Sequence, residues 1–216
     1  ATNQAITWCP AKDSPSSKVL EDKLHITEEK EIWLARHDKD CGDLYGMLPL
    51  SVGMPVASTD HLERNPDKNL FRGRISCVDS WVLHDEENST FDNEKRILQH
   101  MPKVVLVQFY DWVDRNGELV QEPCTWTIDG IDRPGVYPIK PCKRSWFLDQ
   151  HRKYLVLEVK RFQVPLAPAY ALTAHGTQGQ TLAAVIIDLC LGRGVSVIAS
   201  YVAMTRVRKR EGLLIF

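Results

Sequence analysis

The 216-residue sequence has no excess of charge of either sign: 27 Lys and Arg stand against 28 Asp and Glu, a net charge of −1. Such a balance gives no bulk attraction to a polyanion. No apolar run approaches the roughly 20 residues that a membrane span needs. The longest, Leu182 to Leu191, is interrupted by Asp188. No charged-then-apolar segment opens the chain, so no signal segment is expected. The cysteines at 9, 41, 77, 124, 142 and 190 form no C-x-x-C pair. That argues against zinc-ribbon chemistry and for isolated reduced thiols in an intracellular protein. His37 and Cys41 fall on one face if their segment is helical, but a metal needs further ligands nearby, so no metal site is expected. No glycine is followed by Lys, so the phosphate-cradling loop G-x-x-x-x-G-K-[ST] is absent. The chain begins Ala-Thr-Asn-Gln without Met, and the expectation is a piece of a longer protein.

What is present is ordinary in amount and uneven in place. Hydrophobic residues make up 44% and charged residues 25%, the composition of a globular protein with a sizeable core. Residues 151–216 carry nine Lys/Arg against three Asp/Glu, and residues 1–150 carry eighteen against twenty-five. A basic end on a neutral chain attracts phosphate-rich partners, although a charge cluster is also a common solvated surface. Thr27 reads as the cap of a helix reaching about Asp40, with Glu28 and Glu29 in its first turn. Strands are expected around Met54–Ser58, Arg72–Leu83, Lys103–Tyr110, Gly135–Ile139 and Lys153–Lys160. The charged stretch His84–Glu94 reads as a mobile loop, and Asn116-Gly117 as a hairpin turn. Short strands at this spacing predict a small β-barrel over 70–162. After Arg161 the pattern becomes α/β. Ala169–Thr173 and Ala184–Leu189 read as strands, Ser196 caps a buried helix running to about Arg208, and Leu213–Phe216 is a last strand.

Two constellations carry chemistry. The first is the polar turn from His175 to Thr181, set between apolar segments. Gly176 and Gly179 let backbone approach a ligand closely. Thr173, His175 and Thr177 offer donors without fixed negative charge, which suits phosphates, and Gln178 and Gln180 suit a ring edge or an ordered water. The same turn also reads as a plain connection with solvated side chains. The second is Arg206, four residues after Val202 and eight after Ile198 on an otherwise apolar helix side. A guanidinium placed there needs an anionic partner, either Asp188 or a nucleotide γ-phosphate. Arg208, Lys209 and Arg210 read as complements to a helix C-terminus.

The order of these elements resembles motifs V and VI of superfamily 1 DNA helicases, in the PIF and RecD-like group. There the pattern is Thr/Ser-x-His-Lys-Ser-Gln-Gly-x-Thr followed by Tyr-Val-Ala-Leu-Ser/Thr-Arg; here it is Thr173-Ala-His-Gly-Thr-Gln-Gly-Gln-Thr181 and Tyr201-Val-Ala-Met-Thr-Arg206. Leu48 to Val56 and Leu70-Phe-Arg-Gly-Arg74 are similar to the lead-in to that group's SH3-like insertion. The resemblance implies an α/β fold: part of a RecA-like second motor domain (1–69 and 163–216) with an SH3-like β-barrel inserted at 70–162. It implies the C-terminal portion of an ATP-dependent helicase moving 5′ to 3′, with roles in DNA repair and recombination. Arg206 is then the arginine finger, Gln178 and Gly179 lie near the nucleotide, and Thr173, His175 and Thr177 contact single-stranded DNA. ATP and Mg2+ are held mainly by a first RecA-like domain of the same protein. A monomer in the nucleus, a mitochondrion or bacterial cytoplasm is expected, with no membrane contact. Gly176 departs from the group, which often has Lys or Arg there. Without the phosphate-cradling loop, this chain is expected neither to hydrolyse ATP nor to unwind DNA alone. The alternatives are an inactive nucleic-acid-binding remnant of a helicase and an inert interaction domain.

Overall fold

The computed structural model describes residues 5–15, 31–65, 67–92, 95–113, 119–148, 158–171, 173, 181–182, 184–188 and 197–215. The chain divides into two units, one of Ala1–Gln108 with Val136–Pro168 and one of Phe109–Gly135 with Ala169–Phe216.

The first unit is built of open sheets. Strands β1 (Ile6–Pro10) and β2 (Lys12–Pro15) are followed by a helical turn, α1 (31–34). Then come β3 (Met47–Leu50), β4 (Pro55–Ser58), β5 (Ile75–Val82), β6 (Lys95–Ile97) and β7 (Val104–Gln108). In the second unit β8 (Tyr110–Val113) pairs antiparallel with β9 (Leu119–Pro123), so the strands of the Asn116-Gly117 hairpin are present while its turn lies outside the described residues. The first unit resumes with β10 (Val136–Ile139), β11 (Cys142–Phe147), β12 (Glu158–Gln163) and β13 (Leu166–Pro168). Its sheets have the orders β10-β7-β5-β4-β13, β3-β1-β6 and β11-β12-β2. Among the described residues none of these sheets closes into a barrel, and they join strands of 70–162 to strands at 6–15, 47–58 and 166–168. Proline explains part of the layout. Pro15, Pro49, Pro138 and Pro168 all sit on edge strands, where a missing N–H costs no ladder bond. Val56, Val78, Val105, Val107, Val136, Ile139 and Leu166 form the buried layer, with clear alternation on β5 and β7.

One buried cation ties three of these segments together. Arg161 on β12 is fully buried. Its Nε and Nη2 donate to the two carboxylate oxygens of Asp13 on β2, at 2.9 and 2.7 Å. Nη1 donates to the carbonyl of Leu44 at 3.1 Å and Nη2 to that of Trp33 at 2.7 Å. The Trp146 ring lies 5.7 Å from the guanidinium carbon and packs edge-on against Trp33, with centroids 6.0 Å apart. Two residues on, Gln163 donates to the carbonyls of Cys9 and Tyr45 at 2.9 and 3.2 Å. This explains why the helix expected to reach Asp40 stops early. The Trp33 carbonyl, which a continuing helix would offer to His37, accepts from Arg161 and from the Arg36 amide instead. The chain then turns through a 3-10 segment, Asp38–Cys41, capped by His37, whose Nδ1 accepts from the Lys39 amide. His37 and Cys41 therefore share no helix face, and Cys41 is buried while the His37 side chain is 65% exposed. Gly46 closes the region: a Cβ there would lie 1.9 Å from the Leu34 carbonyl oxygen.

The segment 84–92, expected to be mobile, is organised around the side chain of Glu87, which has no exposure. Its oxygens accept from the amides of Ser89 (3.0 Å), Gln99 (3.2 Å) and His100 (2.6 Å). Burial pushes the carboxyl up, but these bonds and the Ser89 hydroxyl outweigh it and hold the group down at about 2. His84 stacks on His100 with ring centroids 5.1 Å apart. A charged-looking stretch is thus fastened by one carboxylate folded inward.

The second unit carries the α/β element. Strand β14 (Val185–Ile187), helix α2 (Val197–Met204) and strand β15 (Leu213–Ile215) follow one another, and β14 pairs parallel with β15. Two expectations need correction. Among the described residues, 169–171 and 173 form no strand; the pairing strand is Leu166–Pro168, against β4. Helix α2 ends at Met204, not Arg208, and is not buried: Ile198 is 72% and Tyr201 63% exposed. Two strands offer too little surface to cover a helix that is apolar all round.

Two outcomes test this account. Arg161→Ala leaves Asp13 buried without its partner and is expected to cost about 3–5 kcal/mol in urea unfolding; a cost under about 1 kcal/mol would place the stability of the unit elsewhere. Glu87 has a folded-state value depressed to about 2 from the ordinary 4.5, so its stabilisation is full above about 4.5 and fades as pH falls toward 2. Glu87→Gln should therefore lower the unfolding midpoint at neutral pH, with the gap to the parent chain closing between those two values.

Candidate functional site

Of the sequence-derived site residues, Arg206 and Thr173 are described; His175, Thr177, Gln178 and Gly179 lie outside the described residues. Thr173 is exposed, as is Thr181 at the far end of the polar turn.

Arg206 is set in the turn that follows α2 rather than on the helix itself. Thr205 and Arg206 continue the chain by bonding back: the Thr205 amide donates to Tyr201 O at 3.1 Å and the Arg206 amide to Ala203 O at 3.2 Å. The side chain is half-buried. Its Nε donates to the carbonyl of Val202 at 2.8 Å and Nη2 to the Thr205 hydroxyl at 2.9 Å. The Thr205 hydroxyl donates in turn to Val202 O at 3.0 Å. The guanidinium and the Thr205 hydroxyl thus share one carbonyl of the last helical turn, at the end where the helix dipole favours a cation. A guanidinium has five N–H donors. Two are engaged here, and the others meet no acceptor among the described residues. The arrangement fixes one edge of the group and leaves the other edge able to take two oxygens of an anion.

The backbone of Arg206 is also fixed to the end of the polar turn. The Leu182 amide donates to the Arg206 carbonyl at 2.9 Å, and Leu182 and Val207 form a parallel bridge. The structure therefore brings together the two motifs, which are separated by some twenty residues of sequence, through Leu182 and Arg206. Arg208, Lys209 and Arg210 are exposed beyond that junction. Asp188 follows β14 and is also exposed. The residue that the sequence reading passed over is Thr205. Its position beside Arg206 was visible, but nothing local says that its hydroxyl braces the guanidinium. Among the described residues, no three His, Cys, Asp or Glu side chains gather into a metal-binding group. The described cysteines are all free thiols, and burial pushes Cys9 up to about 12, so it stays protonated and unreactive.

In sequence, neither a protein-family model nor a curated protein matches the chain. In fold, 99% of the chain matches 40% of the crystal structure of Pif1 helicase from Candida albicans, with a TM-score of 0.55 and 22% identity. Unliganded Pif1 from Bacteroides sp is matched over 98% of this chain and 35% of that one, with a TM-score of 0.44 and 16% identity. Bacteroides Pif1 bound to ssDNA is matched over 100% and 41%, with a TM-score of 0.44 and 17% identity. The likeness in fold rests on the Candida structure, of whose length this chain spans 40%.

The brace on Arg206 is directly testable. Thr205→Val removes the bridging hydroxyl and is expected to lower stability by about 0.5–1 kcal/mol, read from urea unfolding midpoints, while Thr205→Ser keeps the parent value. A loss in Thr205→Ser beside a parent-like value in Thr205→Val would show that the methyl group, not the hydroxyl, matters.

Proposed function

We propose that this chain, which shares its fold with part of a Pif1 helicase, is the C-terminal portion of an ATP-dependent DNA helicase moving 5′ to 3′. The observation that carries the proposal is Arg206. It is the last residue of Tyr201-Val-Ala-Met-Thr-Arg206, held on one edge by Val202 and Thr205, free of described partners on the other, and bonded through its backbone to the end of the Thr173–Thr181 turn. An arginine finger needs this combination: a guanidinium fixed in direction and open toward a phosphate.

In this reading residues 163–216, with 1–69, form the second RecA-like domain, and an SH3-like insertion is built around 70–162. ATP lies between this domain and a first RecA-like domain of the same protein. Closure brings Arg206 to the γ-phosphate oxygens, where negative charge gathers during transfer, and Gln178 and Gly179 lie beside the nucleotide. Mg2+ neutralises phosphate charge when bound, held mainly by the first RecA-like domain. Single-stranded DNA crosses both domains and is held here by Thr173, His175 and Thr177, through donors rather than charge because Gly176 replaces the Lys or Arg frequent in the group. The backbone junction between Leu182 and Arg206 links grip on the strand to hydrolysis. The enzyme works inside the cell, in nucleus, mitochondrion or bacterial cytoplasm, as a monomer.

In the full-length protein, Arg206→Ala is expected to reduce DNA-stimulated ATP hydrolysis by roughly 10³–10⁵ while nucleotide binding stays within a few-fold of the parent. Retained turnover would sink the assignment. Salt-dependent binding to single strands that neither ATP nor Arg206→Ala alters would instead favour a non-hydrolysing remnant.

A further inference from the structure

The open face of the β11-β12-β2 sheet has a composition that the proposed function does not use. Strand β12 is central, and its register with both neighbours is defined. Phe162 lies between Lys143 on β11 and Lys12 on β2; Lys160 lies between Ser145 and Ser14. All six side chains stand on one face, because positions two apart on a strand point the same way. Lys12, Lys143, Lys160, Ser14 and Ser145 are exposed, and Phe162 is half-exposed. The Lys143 ammonium sits 5.7 Å from the Phe162 ring centroid. The Ser14 hydroxyl donates to the Lys160 carbonyl at 3.4 Å. The one carboxylate on the face, Glu158, lies a row further on, opposite Phe147. Among the described residues no carboxylate pairs with any of the three lysines. The reverse face of the same strands holds the buried Arg161–Asp13 pair, so the platform is rigid.

We infer that this face binds single-stranded nucleic acid, with Lys12, Lys143 and Lys160 taking consecutive phosphates and Phe162 taking the flank of a base. Neighbouring strands lie ~4.8 Å apart and alternate residues ~6.6 Å apart along a strand, so the Lys12 and Lys143 backbones stand ~9.6 Å apart with Lys160 about 8 Å from each, and their long side chains can reach successive phosphates of one strand. Three cations around one ring, between low-profile serines, match a ligand that alternates phosphate with a flat stackable surface. An acidic peptide or an anionic lipid surface supplies the charge without the ring. The inference goes beyond the proposed function, since it adds a contact in the first unit, remote in sequence from the Thr173–Thr181 turn. It stands or falls independently of that turn.

The test uses the 216-residue chain and a fluorescein-labelled oligothymidylate, with affinity read by anisotropy between about 50 and 200 mM salt. The triple variant Lys12→Gln, Lys143→Gln, Lys160→Gln is expected to flatten the plot of log affinity against log salt by about 2, from ~0.7 per phosphate on a single strand. The triple Lys→Arg variant should keep the parent slope. Phe162→Leu, which preserves apolar contact, should weaken binding by about tenfold with the slope unchanged. Parent-like slope in the Gln variant overturns the inference, as does a loss of slope in the Arg variant equal to that in the Gln variant. Lysine-dependent binding to an acidic peptide or to phosphatidylserine vesicles, with none to the oligonucleotide, also overturns it. His175→Ala run in parallel separates the two readings: weakened binding there beside an unaffected Gln variant removes this face and leaves the proposed function standing.

Discussion

A guanidinium with no access to water is costly unless each of its nitrogens is matched, and a carboxylate beside it carries the same demand. In this chain that demand is met by Arg161 and Asp13, 148 residues apart in sequence, together with the carbonyls of Trp33 and Leu44. The pair therefore does more than attract. It decides where α1 ends, holds the 3-10 turn that follows, and fixes the register of β2 against β12. Hydrophobic packing of Trp33, Trp146 and Val159 around it can slide; a bidentate ion pair with two further carbonyl acceptors has one geometry.

The two units solve their burial differently. The first uses mainly antiparallel sheets with proline on the edge strands β2, β3, β10 and β13, and its charged excursion at 84–92 is pinned by Glu87. The second pairs β8 with β9 antiparallel and β14 with β15 parallel, and on its βαβ element Ile186, Ile198, Tyr201 and Leu214 are largely exposed. Exposed apolar surface of that kind on a parallel βαβ element marks a surface built to be covered.

Much of this was legible in the sequence. Alternation gave β5, short apolar runs between turn signals gave β7, β10, β14 and β15, and the motif order pointed to the fold that the Candida albicans structure shares. What failed did so for physical reasons. The strand expected at Ala169–Thr173 lies instead at Leu166–Pro168, on a sheet edge where Pro168 is tolerated. The helix after Thr27 read as continuous because no local signal says that a carbonyl at Trp33 will be taken by an arginine on a distant strand. The barrel over 70–162 came from strand spacing, which cannot see that the neighbours of β12 and β5 include β2 and β4. At the site, the motif located Arg206 but not its brace, since Thr205 and Val202 act through a helix end that the apolar pattern extended too far.

Strand β12 is written in two interleaved alphabets. Its odd positions, 159, 161 and 163, are committed to the interior, where packing and hydrogen bonds constrain what fits; its even positions, 160 and 162, face outward and are answerable to whatever passes over them. Point substitutions can therefore revise the outer text over evolutionary time without touching the inner one. A one-residue insertion or deletion cannot, because it would exchange the two readings at a stroke, presenting the buried arginine to water and driving a lysine into the core. Divergence along this strand is confined to replacement, and its length is the part of it least free to change.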